Sequence, residues 1–318
     1  MIETSGQLLH YGTIALTVGI NSIGVGLGEG LSSKAALKAI NIQPSAHNEI
    51  TRLAILGSAL IETSAILGVF IAFLLLFAPS ESATLFSHTA EIGIAIAICL
   101  SGFIISLASS LPAKEACLAV ARQPFFADKI FRFMLITQSI IQTPFIFSFI
   151  IAMFIKNNAA HVDSMAQSLQ LIAAGLAMGL GSIGPAIGLA QFAQQATRGL
   201  GVNRRAYNQL LSFTLVSQAI IETPAIFAMV ISLMLIFFPN NPTLLDSIAY
   251  LSAALCIGLG TLGSGAASGK TASSAVYQIA LHPELQGTIG KVSMFAQGLI
   301  DTCAIYTFII AVLLILFR

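Results

Sequence analysis

Three short strings set an acid in the same apolar context: Leu60-Ile61-Glu62-Thr63, Ile220-Ile221-Glu222-Thr223 and Leu299-Ile300-Asp301-Thr302. A fourth, Ile140-Ile141-Gln142-Thr143, matches them but carries an amide. A charged group at mid-membrane costs at least ~2.5–3.5 kcal/mol on insertion scales. Removal from water favours the neutral, protonated acid. Such an acid can take up and release a proton, or bind a monovalent cation. Gln142 can donate and accept hydrogen bonds, but it cannot cycle a proton near neutral pH. The competing role for the acids is structural, as neutral hydrogen-bonding groups between helices, although Ser or Ala would serve packing alone. A neighbouring acid that stands in for Gln142 is a further alternative.

Polar companions recur around the key position. Thr63, Thr143, Thr223 and Thr302 follow it, and Ser58, Gln138, Gln218 and Gln297 lie four residues before it. One helical turn puts these on the face of the key residue. The hydroxyls of Thr63, Thr223 and Thr302 and the amides of Gln218 and Gln297 are accessory candidates, suited to a hard monovalent cation as well as a proton. Each Thr hydroxyl can instead bond back to its own helix. Glu29 lies 33 residues before Glu62, where the equivalents are Ser109, Leu189 and Ser268. Two acids at similar depth share one proton or chelate one cation. Otherwise Glu29 faces a ring lumen or the membrane boundary.

The elements that must position these residues are apolar. Of 318 residues, 56% are hydrophobic and 8% charged, against roughly 25% charged in a soluble domain, and mean hydropathy is +0.91. Apolar stretches run at about 8–32, 51–77, 90–112, 131–155, 168–195, 208–238, 248–270 and 292–317. Each is long enough to cross a bilayer as a helix. Eight spans put both termini on one side. Alternate connections hold Lys34, Lys38 and Arg52; Lys114, Arg122, Lys129 and Arg132; Arg198, Arg204 and Arg205; and Lys270 and Lys291, together 12 of the 14 basic residues. By the positive-inside rule those connections are cytoplasmic, and the termini and loops 78–89, 156–167 and 239–247 lie on the opposite side. The start, Met1-Ile2-Glu3-Thr4, has no basic n-region, and no cleaved signal peptide is expected.

The key positions are spaced by 80, 80 and 79 residues. Twenty residues upstream of each begins a polar string: Ile42-Gln43-Pro44, Arg122-Gln123-Pro124, Val202-Asn203-Arg204 and Leu281-His282-Pro283. Each period holds two spans, so all units enter the membrane in the same direction. The expected fold is an all-α membrane protein with eight transmembrane helices in four parallel-repeated hairpins: 1–80 with Glu62, 81–160 with Gln142, 161–240 with Glu222 and 241–318 with Asp301. First helices are rich in small residues, such as Gly24, Gly26, Gly28 and Gly30, or Gly179, Gly181, Gly184 and Gly188. Small residues let helix backbones approach closely in lipid. Slim first helices beside bulky second helices suggest an inner and an outer layer of a ring; ordinary packing in a compact bundle is the alternative.

A Gly-rich first helix, a polar loop with Arg122-Gln123-Pro124 and a lone acid midway along the second helix, in fixed order four times over, resemble the c subunit (proteolipid) of rotary ATP synthases. The resemblance covers nearly the whole chain and looks more F-type than vacuolar. It implies a c-ring of such hairpins surrounded by membrane lipid, built with other c-type chains. It implies that Glu62, Glu222 and Asp301 carry H⁺, or alternatively Na⁺, received from a stator a subunit whose Arg draws the proton off the acid. It also implies that the loop Arg122, Gln123 and Pro124 contacts central-stalk subunits of the catalytic head. Ile42, Val202 and Leu281 replace the Arg in the other loops. Thr after the acid resembles sodium-binding rings, and the missing Gln in the first helix speaks for protons. Gln142 leaves three carriers per four hairpins.

Other classes fit less well. A vacuolar-type ATP-driven pump would explain the fusion and the lost acid. A stand-alone secondary transporter or channel usually shows inverted repeats around one central site, unlike this parallel array. The net charge of +1 offers no basic face for nucleic acid. No catalytic or fixed metal-ligand constellation is apparent, so an enzyme is not expected. The five His (His10, His47, His88, His161 and His282) read as interfacial, and Cys99, Cys117, Cys256 and Cys303 as packing residues. A bacterial inner membrane is the expected location.

Overall fold

The computed structural model describes residues 2–77, 84–238 and 242–317, with the side chains of residues 2 and 3 excepted. Loop segments 78–83 and 239–241, Met1 and terminal Arg318 lie outside the described residues. Every described element is helical. The elements are α1 (Ile2–Ile42), α2 (His47–Phe77), α3 (Leu85–Arg122), α4 (Ala127–Ala159), α5 (Met165–Gly181), α6 (Ile183–Val202), α7 (Tyr207–Phe237), α8 (Leu244–Leu281) and α9 (Gln286–Leu316). Helices α5 and α6 form one span broken at Ser182. Pro185 lacks the N–H that the Gly181 carbonyl would accept, and the helix gives way there, whereas α3, α4 and α7 run on through Pro112, Pro144 and Pro224. Among the described residues, eight helical segments have the length and apolar character to cross a membrane.

The helices outrun the apolar stretches. Most residues assigned to basic loops lie on helix: Lys34 and Lys38 on α1, Lys114 and Arg122 on α3, Lys270 on α8 and Lys291 on α9. The true connections are short 3₁₀ turns at Pro44–Ala46, Pro124–Phe126, Arg204–Ala206 and Pro283–Leu285. Proline at the first turn position fixes its own φ and pushes the preceding residue out of the helical region. Gln43, Gln123 and His282 accordingly have φ of -135, -138 and -129. Where Arg204 replaces proline, the Asn203 side chain accepts from the Arg205 N–H at 3.1 Å and closes the turn instead. Hydropathy registers charge and is blind to helix ends; the prolines mark them.

First helices pack on first helices. Helix α1 lies against α3, α3 against α5 and α6, and these against α8; α2, α4, α7 and α9 cover this row as a second layer. The spans Leu85–Arg122 and Met165–Val202 are mostly buried, whereas Thr4–Ile42 and Pro283–Leu316, in the two end hairpins, are mostly unburied. Close backbone approaches join α3 to α5, at Gly93 and Gly175, and α6 to α8. A Cβ on Gly188 would collide with the Gly265 carbonyl oxygen and meet Ile221 at 2.9 Å. Not every glycine serves this purpose: around Gly26, Gly30 and Gly263 a Cβ would meet nothing within 4 Å. Near the turns, Lys129 lies 4.9 Å from the ring centre of Tyr207, and Arg198 lies 5.5 Å from that of Tyr277. Basic groups there rest on aromatic faces.

Candidate functional site

Glu62, Glu222 and Asp301 each stand 15 residues from both ends of their helices α2, α7 and α9. At 1.5 Å per residue that is about 22 Å from each end. Gln142 holds the same level on α4. The inner-layer residue 33 positions earlier meets the key residue in three of the hairpins, and the chemistry differs each time.

In the first hairpin Glu29 and Glu62 line one cleft with Ser22, Gly26, Ala65 and Ile66. The two carboxyls lie side by side there, an arrangement able to share one proton or bracket one cation. Glu62 is exposed at the free edge of the row. In the second, the Gln142 amide donates to Ser109 Oγ at 2.8 Å and to the Leu60 carbonyl of the preceding hairpin at 2.8 Å. Gln142 is 4% exposed. Both of its N–H groups are therefore engaged in joining helices. In the third, Leu189 supplies no polar atom, and Thr143 of the preceding hairpin lies beside Glu222. In the fourth, Ser268 Oγ donates to Asp301 Oδ1 at 3.2 Å, and Asp301 is 8% exposed.

The accessory candidates divide. Thr63, Thr223 and Thr302 donate their hydroxyl protons to their own helices, at 3.4 Å to the Ala59 carbonyl, 3.1 Å to Ala219 and 2.7 Å to Leu299. Their oxygens keep lone pairs, but the protons are committed. Gln218 donates to the Thr137 carbonyl of the preceding hairpin at 3.4 Å, and Gln297 to Ser293 Oγ at 3.1 Å. The amide oxygens of Gln138, Gln142, Gln218 and Gln297 are buried and accept no hydrogen bond. Buried acceptors of this kind usually have a partner. Those of Gln218 and Gln297, one turn before Glu222 and Asp301, are suited to a protonated carboxyl or a small cation.

At the turns, Arg122 reaches Glu115 Oε1 at 3.4 Å, and Gln123 donates to the Gly201 carbonyl of the next hairpin at 3.2 Å. Asn203 repeats this contact to Ala280 at 2.9 Å. The loop glutamine thus ties hairpins together, while neighbouring Phe125 is fully exposed. Two of the histidines, His10 and His88, are largely buried between α1 and α3. The four cysteines are free thiols.

Residues 13–75, 92–155, 172–235 and 251–314 each match the family of ATP synthase c subunits. The ATP synthase c subunit of Dehalococcoides mccartyi is 44% identical over 72 residues, 23% of this chain and 95% of that protein. The second ATP synthase c subunit of Cereibacter sphaeroides is 50% identical over 64 residues, 20% and 77% of the two chains. The ATP synthase c subunit of Prochlorococcus marinus is 37% identical over 76 residues, 24% and 94%. Each relative therefore corresponds to one of the hairpins. With four such repeats on eight membrane-length helices, the chain belongs to the ATP synthase c-subunit family as a multi-pass membrane protein of four fused hairpins, an ion-translocating component of a rotary ATP synthase.

Proposed function

We propose that Glu62, Glu222 and Asp301 each carry one ion across the membrane as the ring turns, and that the Gln142 hairpin passes the stator unloaded. The observation that carries this reading is the key position itself. At mid-helix, three acids meet partners that can exchange, another carboxyl, Thr143 or Ser268, while Gln142 has both N–H groups committed to its neighbours. The cargo is H⁺, for which a carboxyl alone suffices. Na⁺ is the alternative, favoured most at the paired carboxyls of Glu29 and Glu62. The chain catalyses nothing itself. ATP chemistry belongs to partner subunits reached through a stator a subunit at the acids and a central stalk at the basic turns. Arg122, Pro124 and exposed Phe125 present the stalk surface, with Gln123 holding it in place. The basic turns face the cytoplasm, of a bacterium in this reading, and both termini face the opposite side.

The ring closes with further copies of this chain. Gly265 on α8 packs beside Gly184 and Pro185 of the preceding first helix. In the repeat register, Gly26 is the counterpart of Gly265 and Gly263 that of Gly184. Both counterparts face open space at opposite ends of the row. Gly26 of one copy would then meet Gly263 of the next, a head-to-tail contact that forms a ring if the rotation closes. The same register brings Thr302 of a second copy toward Glu62, as Thr143 is brought to Glu222. Rings closed this way contain a multiple of four hairpins. The name ATP synthase borne by all three relatives favours synthesis over a vacuolar-type pump.

A hydrophobic carbodiimide tests the assignment. Peptide mapping of the labelled ring should place adducts on Glu62, Glu222 and Asp301 and none on Gln142. Adducts confined to turn residues such as Glu49, Glu284 or Asp128 would contradict it. Protection of the labelled acids by added Na⁺ at neutral pH identifies a sodium ring, and labelling indifferent to Na⁺ identifies a proton ring.

A further inference from the structure

We propose that His10, His88 and Glu91 form a binding site for a divalent transition-metal ion of the Zn²⁺ type, clamping α1 to α3 near the end remote from the basic turns. His10 comes from α1, and His88 and Glu91 come from one face of α3, three residues apart. One ligand atom from each lies within 4.8 Å of the others. His10 Nδ1 is 2.7 Å and His88 Nδ1 3.3 Å from the same carboxylate oxygen, Glu91 Oε2. The side chains are only 11%, 13% and 8% exposed, respectively. The two imidazole rings stand 5.0 Å apart, centre to centre. Gly6, one turn before His10, makes room for them, since a Cβ there would approach His88 Cδ2 at 3.0 Å.

Packing does not require this set. At the equivalent level the next junction has Ala90, Ser168 and Leu171, and the one after it Gln170, Ser247 and Tyr250. Hydroxyls and one amide satisfy those junctions by bonding to backbone: Ser168 to Phe86, Ser247 to Ala166 and Gln170 to Leu235. The first junction instead gathers two imidazoles and a carboxylate. Two neutral imidazoles and one carboxylate suit a borderline ion with bonds of about 2.0–2.2 Å, leaving a fourth position for water. Each imidazole Nδ1 faces Glu91 Oε2 as a hydrogen-bond donor; on binding, that proton leaves Nδ1, passing to Nε2 or to water, so that the Nδ1 lone pair reaches the ion, and no electron is exchanged. Counted along α1 at 1.5 Å per residue, His10 lies roughly 28 Å from the level of Glu29. The site is therefore separate from the ion carriers, and among the described residues no second such group occurs.

The test uses the detergent-purified ring, incubated with Zn²⁺ and freed of excess by gel filtration. About one Zn²⁺ per chain should remain bound, and Glu91→Gln and His88→Gln should lose most of it while still eluting as rings. Retention that is unchanged in both variants would place the ion on other histidines and overturn the proposal; so would no retention by the native ring. Should a variant fail to assemble, Co²⁺ bound to the native ring decides. Visible ligand-field bands of a four-coordinate nitrogen–oxygen site support the proposal, and the spectrum of hydrated Co²⁺ overturns it.

Discussion

Converting Glu62, Glu222 and Asp301 together to Gln, Gln and Asn should abolish ion-driven ATP synthesis and ATP-driven ion pumping, while the ring still assembles. The chain contains its own control for assembly. Gln142 already occupies the key level of the second hairpin, where its amide bonds to Leu60 and Ser109 without disturbing α4. An amide at the other three positions meets comparable surroundings: Glu29, Thr143 and Ser268. It keeps shape and hydrogen bonding but cannot release a proton. Proteoliposomes carrying the triple variant should show ion flux at the background of liposomes without the complex. Flux retained by an assembled triple variant would remove the acids from the mechanism.

The second large effect concerns assembly. Gly188→Leu should prevent the chain from forming a stable hairpin array. Its side chain would enter the Gly265 backbone and the Ile221 side chain, where α6 and α8 approach closely. Overpacking of a tight interior usually costs about 1–3 kcal/mol and occasionally more; here backbone opposes backbone, so neither side can yield by a rotamer change. Gly26→Leu should behave differently. Nothing lies within 4 Å of a Cβ there in one chain, so the chain should fold, resist proteolysis and yet fail to close rings. Native gels and limited proteolysis separate the two variants. Closed rings from Gly26→Leu would mean that the seam lies elsewhere.

Much of this architecture is legible in the period. Parallel repeats put residue n of one hairpin beside residue n+80 or so of the next. Contacts such as His10 to Glu91, Gln138 to Gly57 and Gln218 to Thr137 follow that rule. The mid-helix level of the acids is equally visible as apolar residues on both sides. Three features are not. Thr143 reads as a companion of Gln142, but it lies beside Glu222 of the next hairpin, because the second helices pack side by side. Thr63, Thr223 and Thr302 read equally as site hydroxyls or as groups bonded back to their own helices, and only the structure shows each donating to a carbonyl about one turn back. The His10, His88 and Glu91 group is concealed by distance along the chain, although applying the 80-residue offset to His10 exposes it.

The most direct measurement of the central claim, one ion per acid and none at hairpin two, is the ion-to-ATP ratio at thermodynamic balance in proteoliposomes. Native enzyme and Gln142→Glu share the same catalytic head, so the ATP made per turn cancels in the comparison. Carriers per chain rise from three to four, and the ratio should rise by one third. Mass spectrometry should show a fourth carbodiimide adduct at the new acid. An assembled, active Gln142→Glu enzyme with the native ratio would contradict the account, because the second hairpin would then already be carrying an ion, or the acids would not set the count.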